Sequence, residues 1–127
     1  TLWLAVDDST TENGCMRVIT GSHRWGGLDH EAVEDRRRYV LGLQVNSSRF
    51  DETQAVDVVL KAGDCSFHAP FLLHGSKPNT SEKRRCGYTM RYMPVTTKID
   101  RTKWPKHPLV LARGEDQAGN NEYINAV

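Results

Sequence analysis

The sequence of 127 residues lacks several features that would each point to a class of protein. It contains no apolar run near the ~20 residues that a membrane-spanning helix needs, so no membrane span is expected. Its three cysteines, Cys15, Cys65 and Cys86, are odd in number, far apart and without a CxxC pair. This pattern argues against a disulfide scaffold or a structural zinc site and is typical of a reducing compartment such as the cytoplasm.

The sequence also lacks an excess of charge of either sign. Lys and Arg number 17 and Asp and Glu number 16, so the formal net charge is +1. A near-neutral chain gives no electrostatic reason to expect nucleic acid or an anionic membrane as a partner. Of its two short basic clusters, residues 36–38 are interpreted as solvated surface. The other, residues 83–85, contains an arginine that a second pattern singles out below.

The chain begins without an initiator Met, and residues 1–6 have the composition of a buried strand. Natural domains seldom begin inside a core, because chain ends are usually polar and loosely held. The sequence therefore predicts a fold truncated at its N-terminal side. Residues 1–127 are expected to be a single partial domain, with residues 94–127 as a peripheral tail.

Short β-prone runs separated by turn-forming residues make up most of the sequence. Strands are predicted over residues 2–6, 16–19, 55–60, 65–73 and 85–93. One or two helical turns are expected within residues 30–39. Many short strands with little helix predict an all-β to α+β fold, a jelly roll or antiparallel barrel. Residues 55–93 are expected to form adjacent antiparallel strands, with residues 75–84 as a hairpin connection.

His74 and Arg85 stand at the two ends of this turn-rich connection. Residues at the inner ends of a hairpin lie opposite each other, so both side chains are expected to face one cavity. A neutral imidazole is a good Fe(II) ligand, and a guanidinium binds a carboxylate through two parallel hydrogen bonds. The pair therefore suits a dicarboxylate held between a metal ion and a cation, with the Ser76 hydroxyl as a further donor.

Alternation along the last predicted strand divides its side chains into two sets. Arg85, Gly87 and Thr89 share the small or polar side, which suits a wet barrel interior. Tyr88 and Met90 share the apolar side, which suits packing under a covering layer.

Several blocks occur in an order that is typical of one known family. They read WLAVDD at 3–8, NGCMRVITGSH at 13–23, GD at 63–64, HGSKPNTS at 74–81, Arg85, and PLVLARGED at 108–116. In this order they resemble the phytanoyl-CoA dioxygenase family. The resemblance implies a double-stranded β-helix, which is a cupin-like jelly roll, and it implies Fe(II) as cofactor. It also implies oxidative decarboxylation of 2-oxoglutarate with O2, coupled to hydroxylation of a small organic or lipid-like substrate.

The resemblance also implies roles for single residues. His74 matches the distal iron ligand and Arg85 the residue that binds the far carboxylate of 2-oxoglutarate, while Ser76 and Trp3 match further co-substrate contacts. Thr20 stands where the family usually has proline. The family's His-x-Asp pair, which supplies the other two iron ligands, is missing: none of the five histidines is followed two positions later by Asp or Glu. The pair is expected to fall before residue 1, so the chain alone is expected to be inactive.

Two other functions stay open at this point. One is a non-catalytic jelly-roll binding module or pseudo-enzyme that has kept the barrel and lost the metal site. The other is a cupin-like sugar or metal binder, which would explain His74 but not Arg85. The presence of both residues favours the oxygenase. The sequence leaves open the primary substrate, the role of Arg91 and the oligomeric state.

Overall fold

The computed structural model describes residues 1–35 and 41–124, so the basic cluster 36–38 lies outside the described residues. Its eight short strands are β1 (Leu2–Ala5), β2 (Met16–Ile19), β3 (His30–Ala32), β4 (Leu43–Val45), β5 (Ala55–Val58), β6 (Cys65–Phe67), β7 (His74–Ser76) and β8 (Gly87–Met90). Single 3-10 turns occupy Ser22–Trp25, Ser47–Arg49 and Glu52–Gln54. Within the described ranges, no helix has the length and apolarity to cross a bilayer.

All strands pair antiparallel and form three small sheets. One has the order β6-β1-β8, the second has the order β5-β2-β7, and β3 pairs with β4 alone. Successive strands β5, β6, β7 and β8 therefore alternate between the two three-stranded sheets. Because a jelly roll also winds its chain between two sheets, the architecture agrees with a jelly-roll fragment.

The predicted hairpin across residues 75–84 is wrong. Strand β7 pairs with Met16–Val18 of β2, whereas β8 pairs with Leu2–Ala5 of β1. The predicted strand over residues 65–73 also divides in two. It stops at Phe67, and Leu72 N–H donates to the Ala69 carbonyl at 3.1 Å in a turn around Pro70. Proline lacks the N–H that a continued ladder would need, so the chain turns there and enters the other sheet.

The helical turns expected within residues 30–39 are also wrong where the structure describes them. His30–Ala32 is strand β3, and the rest of the prediction falls largely outside the described residues. Glu31 accepts hydrogen bonds from Gln44 Nε2 at 3.2 Å and from Asn46 Nδ2 at 2.7 Å. These contacts come from a distant segment, and such contacts override local helix propensity.

The chain divides into two compact units, Thr1–Met90 and Arg91–Val127. The second unit contains no strand among its described residues and is held by polar side chains. Asn121 accepts from the Ile99 amide at 3.0 Å and donates to the Thr97 carbonyl at 2.8 Å. The Tyr123 hydroxyl donates to Asp116 at 2.9 Å. The single-domain interpretation of residues 1–127 stays a prediction.

The buried core of the described residues is small. Its hydrophobic members are Ala5, Cys15, Met16, Ile19 and Val33. The apolar side of the β6-β1-β8 sheet, by contrast, is open to solvent, with Phe67 73% and Tyr88 60% exposed. The apolar face predicted from alternation is therefore present, but the described residues do not cover it.

Gly87 faces the Trp3 side chain across the β1–β8 ladder. A Cβ atom built on Gly87 would overlap the Trp3 indole, whereas one built on Gly75 of β7 would meet nothing within 4 Å. Gly87→Ala must therefore displace the indole, and we expect a loss of about 1–3 kcal/mol in the free energy of unfolding. Gly75→Ala is the matched strand control and should change it by less than about 0.5 kcal/mol. Urea denaturation of both variants tests this, and equal losses would contradict the packing.

Candidate metal and co-substrate site

The β1–β6 ladder places three side chains on one face of its sheet. Trp3 lies opposite Ser66, and the ladder continues by one pair beyond the strand ends. There, Thr1 N–H donates to the His68 carbonyl at 2.9 Å and His68 N–H donates to the Thr1 carbonyl at 3.0 Å. Directly opposed residues, and residues two apart, point to the same side of a sheet. Trp3, Ser66 and His68 therefore share a face.

His74 and Ser76 lie on one face of the other three-stranded sheet. They stand opposite Val18 and Met16 of β2, and their side chains point the same way because they are two positions apart. The imidazole rings of His74 and His68 are 5.1 Å apart between centroids, tilted by 47°. Since His68 belongs to the other sheet, this contact joins the His74 face of one sheet to the Trp3 face of the other.

Arg85 reaches the same face from the connection before β8. Its guanidinium carbon lies 5.8 Å from the centroid of the Trp3 indole, within the range of a cation–π interaction. The side chain is half-buried. Because Gly87 of β8 has no side chain, the Trp3 indole can lie directly over it. Arg85 thus contacts Trp3 through its guanidinium, and His74 contacts His68 through its ring.

The structure links His74 and Arg85 to two residues of one sheet, not to each other through a hairpin. The hairpin that was expected to set His74 opposite Arg85 does not exist. His74 contacts His68 and Arg85 contacts Trp3, and His68 and Trp3 share one face of the β6-β1-β8 sheet. His68 is a further residue of the Trp3 face, and its spacing of two from Ser66 is the sequence signal for that face. Ser76 is exposed on the His74 face.

A backbone carbonyl sets the proton position on His74. Its Nδ1 lies 2.7 Å from the carbonyl oxygen of Leu72, which can only accept, so Nδ1–H is the donor. The Nε2 atom of the neutral ring then keeps its lone pair. Metal-binding histidines are commonly held in this way through the nitrogen that does not bind the metal. His74 is therefore prepared to act as an Nε2 ligand.

His68 presents a neutral ring to His74. Burial lowers the pKa of the His68 imidazole, and the nearby His74 ring lowers it further. Its Nδ1 is buried and has no hydrogen-bond partner within the described part of the chain. A neutral neighbour does not repel a cation bound to His74, so the pair is compatible with a metal ion.

Arg84 and Arg85 have different partners. The Arg84 guanidinium binds Asp7 through Nε–H at 2.8 Å and Nη2–H at 2.7 Å. The Asp7 carboxylate also accepts from the Cys86 amide at 2.8 Å. The pKa of Asp7 is lowered, mainly by the hydrogen bond from Arg84 and also by that from Cys86. Arg84 is thus the salt-bridge partner of Asp7, and Asp7 is occupied by Arg84 rather than Arg85.

His74 is the one iron ligand that the sequence assigns to this chain. Among residues 1–35 and 41–124, no group of three or more His, Cys, Asp or Glu side chains is placed to hold a metal ion. The geometry of His74 fits one position of a metal site.

Comparison with known proteins agrees with the resemblance. The profile of the family described as Phytanoyl-CoA dioxygenase (PhyH) matches residues 1–87. A protein of Arabidopsis thaliana named phytanoyl-CoA dioxygenase is 31% identical over 110 residues, which are 83% of this chain and 35% of that protein. The chain belongs to the phytanoyl-CoA dioxygenase family, and it spans about a third of the length of the curated relatives it matches.

Two solved structures are similar in both sequence and fold. EvdO2 from Micromonospora carbonacea var. aurantiaca, solved with 2-oxoglutarate, is 30% identical with a TM-score of 0.57, covering 66% of this chain and 33% of EvdO2. The non-heme monooxygenase ThoJ, in its apo form, is 38% identical with a TM-score of 0.55, covering 68% of this chain and 29% of ThoJ. The likeness to both structures is therefore one of sequence as well as of fold.

The Asp7–Arg84 ion pair should make the stability of the chain depend on pH. The pKa of Asp7 is lowered in the folded state from its ordinary value of 3.8. Such a carboxylate stabilises the fold above its unfolded pKa, and this contribution is lost as the pH falls through its folded pKa. We expect Asp7→Asn to be less stable than wild type at pH 7 and to lose less stability below about pH 4. Urea denaturation between pH 7 and pH 3 measures the free energy of unfolding of both proteins. Arg84→Gln should reduce the pH dependence in the same direction as Asp7→Asn. A pH dependence of Asp7→Asn equal to that of wild type would contradict the prediction.

Proposed function

We propose that this chain forms part of an Fe(II)- and 2-oxoglutarate-dependent dioxygenase that hydroxylates a small organic or lipid-like substrate. The proposal is carried by two contacts, His74 with His68 and Arg85 with Trp3, because His68 and Trp3 share one face of the β6-β1-β8 sheet. 2-Oxoglutarate is a five-carbon diacid that spans about 6–7 Å when extended. A metal ion on His74 and the guanidinium of Arg85 would bind its two ends.

The fold we propose for the parent protein is the double-stranded β-helix. Two features support it: strands β5 to β8 alternate between two antiparallel sheets, and the solved structures of EvdO2 and ThoJ, which are similar in fold, align with this chain. In this fold the candidate residues would lie between the two sheets, where the His68–His74 contact occurs.

His74 Nε2 is proposed as one ligand of the iron. Two imidazoles and one carboxylate on one face of Fe(II) leave positions for 2-oxoglutarate and O2. The second imidazole and the carboxylate would come from a His-x-Asp pair in polypeptide outside residues 1–127. When bound, the iron would supply the oxygen activation that couples decarboxylation of 2-oxoglutarate, to succinate and CO2, with hydroxylation of the substrate.

Arg85 is proposed to bind the carboxylate of 2-oxoglutarate that is remote from the metal. A guanidinium is planar and always charged, so it can form two parallel hydrogen bonds to that group. Its contact with Trp3, and the engagement of Asp7 by Arg84, are consistent with a free hydrogen-bonding edge. Trp3 would also border the co-substrate. Ser76, on the His74 face, would donate its hydroxyl to the same carboxylate.

We further propose that the chain is one part of a longer enzyme. Three observations support this: it matches about a third of its relatives' length, it offers one assigned iron ligand, and its β6-β1-β8 sheet exposes Phe67 and Tyr88. A non-catalytic jelly-roll module is the other candidate. A module without a metal site would have no chemical need for both a His74 with a free Nε2 and Arg85.

Arg85→Lys in the longer protein should weaken 2-oxoglutarate binding while iron retention stays unchanged. A lysine provides the charge but not the bidentate geometry, and losing a charged hydrogen bond costs about 1.5–3 kcal/mol, so affinity should fall about 10- to 150-fold. Anaerobic titration calorimetry with the metal-loaded protein measures this. Arg84→Lys is the matched control and should bind as wild type. Unchanged affinity in Arg85→Lys would refute the assignment of Arg85.

The 127-residue chain alone should neither retain Fe(II) tightly nor release succinate from 2-oxoglutarate. One imidazole cannot hold a labile divalent ion against water, whereas two imidazoles and a carboxylate can. Anaerobic Fe(II) titration and a succinate assay should be run on this chain and on a version extended upstream through a His-x-Asp pair. Tight binding and turnover by the short chain would show that the other ligands are misassigned. Inactivity of both versions would favour the non-catalytic module.

A further inference from the structure

The backbone on both sides of Arg85 is held from the loop that follows β1. Val6 N–H and Asp7 N–H both donate to the Cys86 carbonyl, at 3.0 and 3.2 Å. The Cys86 N–H in turn donates to the carboxylate of Asp7 at 2.8 Å. The peptide group between residues 85 and 86 is therefore fixed through its N–H by the Asp7 side chain.

The peptide group on the other side of Arg85 is held by Asn13. The Asn13 side chain is 2% exposed, and its amide Nδ2 donates to the Arg84 carbonyl at 3.2 Å and to the Asp8 carbonyl at 2.7 Å. Its Oδ1 accepts from the Thr10 amide at 2.7 Å, which fixes the orientation of the side-chain amide. A buried asparagine bonded in this way is a rigid support.

These contacts fix the direction in which Arg85 leaves the backbone. The planes of the two peptide groups flanking an α-carbon define its φ and ψ, and here each plane is bonded to a side chain of the same loop. Arg84 is drawn to Asp7 by two hydrogen bonds, whereas the Arg85 guanidinium lies over the Trp3 ring.

The Trp3 contact alone is too weak to fix a long side chain. A cation–π pair at a partly exposed site contributes less free energy than the rotamer entropy that an Arg side chain loses when it is fixed. Binding of a dicarboxylate would therefore be tighter if the backbone directed the guanidinium beforehand.

We infer that Asp7 and Asn13 are positioning residues for Arg85, which they aim at the candidate co-substrate site by holding its two flanking peptide groups. The inference rests on the proposed function, since it assigns Arg85 to the carboxylate of 2-oxoglutarate. Asp7 and Asn13 do not touch the ligand themselves. For positioning Arg85, the hydrogen bond from the Cys86 amide to the Asp7 carboxylate is the essential contact, and the Asp7–Arg84 ion pair is secondary.

The first measurement is the affinity for 2-oxoglutarate of the longer protein loaded anaerobically with Mn(II) or Fe(II). Asp7→Ala removes the acceptor of the Cys86 amide and should weaken binding about tenfold, with metal affinity unchanged. Arg84→Gln removes the ion pair but leaves the anchor, so its effect should be smallest. Asp7→Asn keeps a neutral oxygen and should fall between them. Asn13→Ala should weaken binding as Asp7→Ala does.

A matched control separates positioning from general damage. Asp8 lies in the same loop, but its carboxylate accepts from the Ala62 amide at 2.8 Å and from neither peptide group beside Arg85, so Asp8→Ala should bind 2-oxoglutarate as wild type. In an Arg85→Ala background, Asp7→Ala should cause no further loss of affinity, because the group that it positions is gone. Independent, additive losses would overturn the inference.

The second measurement reports the geometry without any ligand. The Trp3 ring current should displace the NMR resonance of the Arg85 Nε–H, and Asp7→Ala and Asn13→Ala should abolish this displacement while Arg84→Gln retains it. If wild type fails to bind 2-oxoglutarate but the resonance responds in this way, the proposed function fails, whereas the positioning of Arg85 by Asp7 and Asn13 stands. An unmoved resonance overturns the inference. If Asp7→Ala does not fold, the order of Asp7→Asn and Arg84→Gln decides, and a larger effect of Arg84→Gln overturns it.

Discussion

The central position of β1 between β6 and β8 is the constraint on which the rest of the arrangement depends. Its register sets Trp3 opposite Ser66 and Thr89, on the face that Arg85 also reaches. Because strand side chains alternate, a slip of one residue would carry Trp3 to the opposite face of the sheet. The same slip would move the following loop, and with it Asp7, away from residues 84–86. The orientation of the candidate site therefore depends on backbone pairing before any side-chain chemistry.

The shared face is built from weak contacts that are consistent with one another. The ring contact of His68 with His74 and the cation–π contact of Arg85 with Trp3 are each small compared with the free energy of folding. The positions of the rings are nevertheless fixed, because each ring belongs to a hydrogen-bonded strand or to its direct extension. A polar site lined by few apolar groups adds little to the core, which matches the small number of buried hydrophobic residues in the described ranges.

Local sequence predicted individual elements well and their partners poorly. The strands near residues 2–6, 16–19 and 55–60 were found within about two residues at each end, because a β-prone run between turn formers is a local signal. Strand β7 pairs with β2 and β8 pairs with β1, so each pair joins segments that are far apart in the chain. Alternation of side chains within one strand does not predict which distant strand is its partner. The break at Pro70 was overlooked because the apolar residues on both sides form one continuous pattern. The hairpin was therefore wrong, although His74 contacts His68 and Arg85 contacts Trp3.

Arg84 and Arg85 show where sequence reasoning reaches its limit at the level of single residues. The two side chains are identical and adjacent, and composition cannot distinguish them. The resemblance to the family singled out Arg85, and the structure supplies a physical reason for the difference. Asp7 takes the guanidinium of Arg84 and the amide of Cys86 on one side of the segment, so Arg85 is left to the side of Trp3. An acid at the end of one strand thus determines which of two equal cations is available to a ligand.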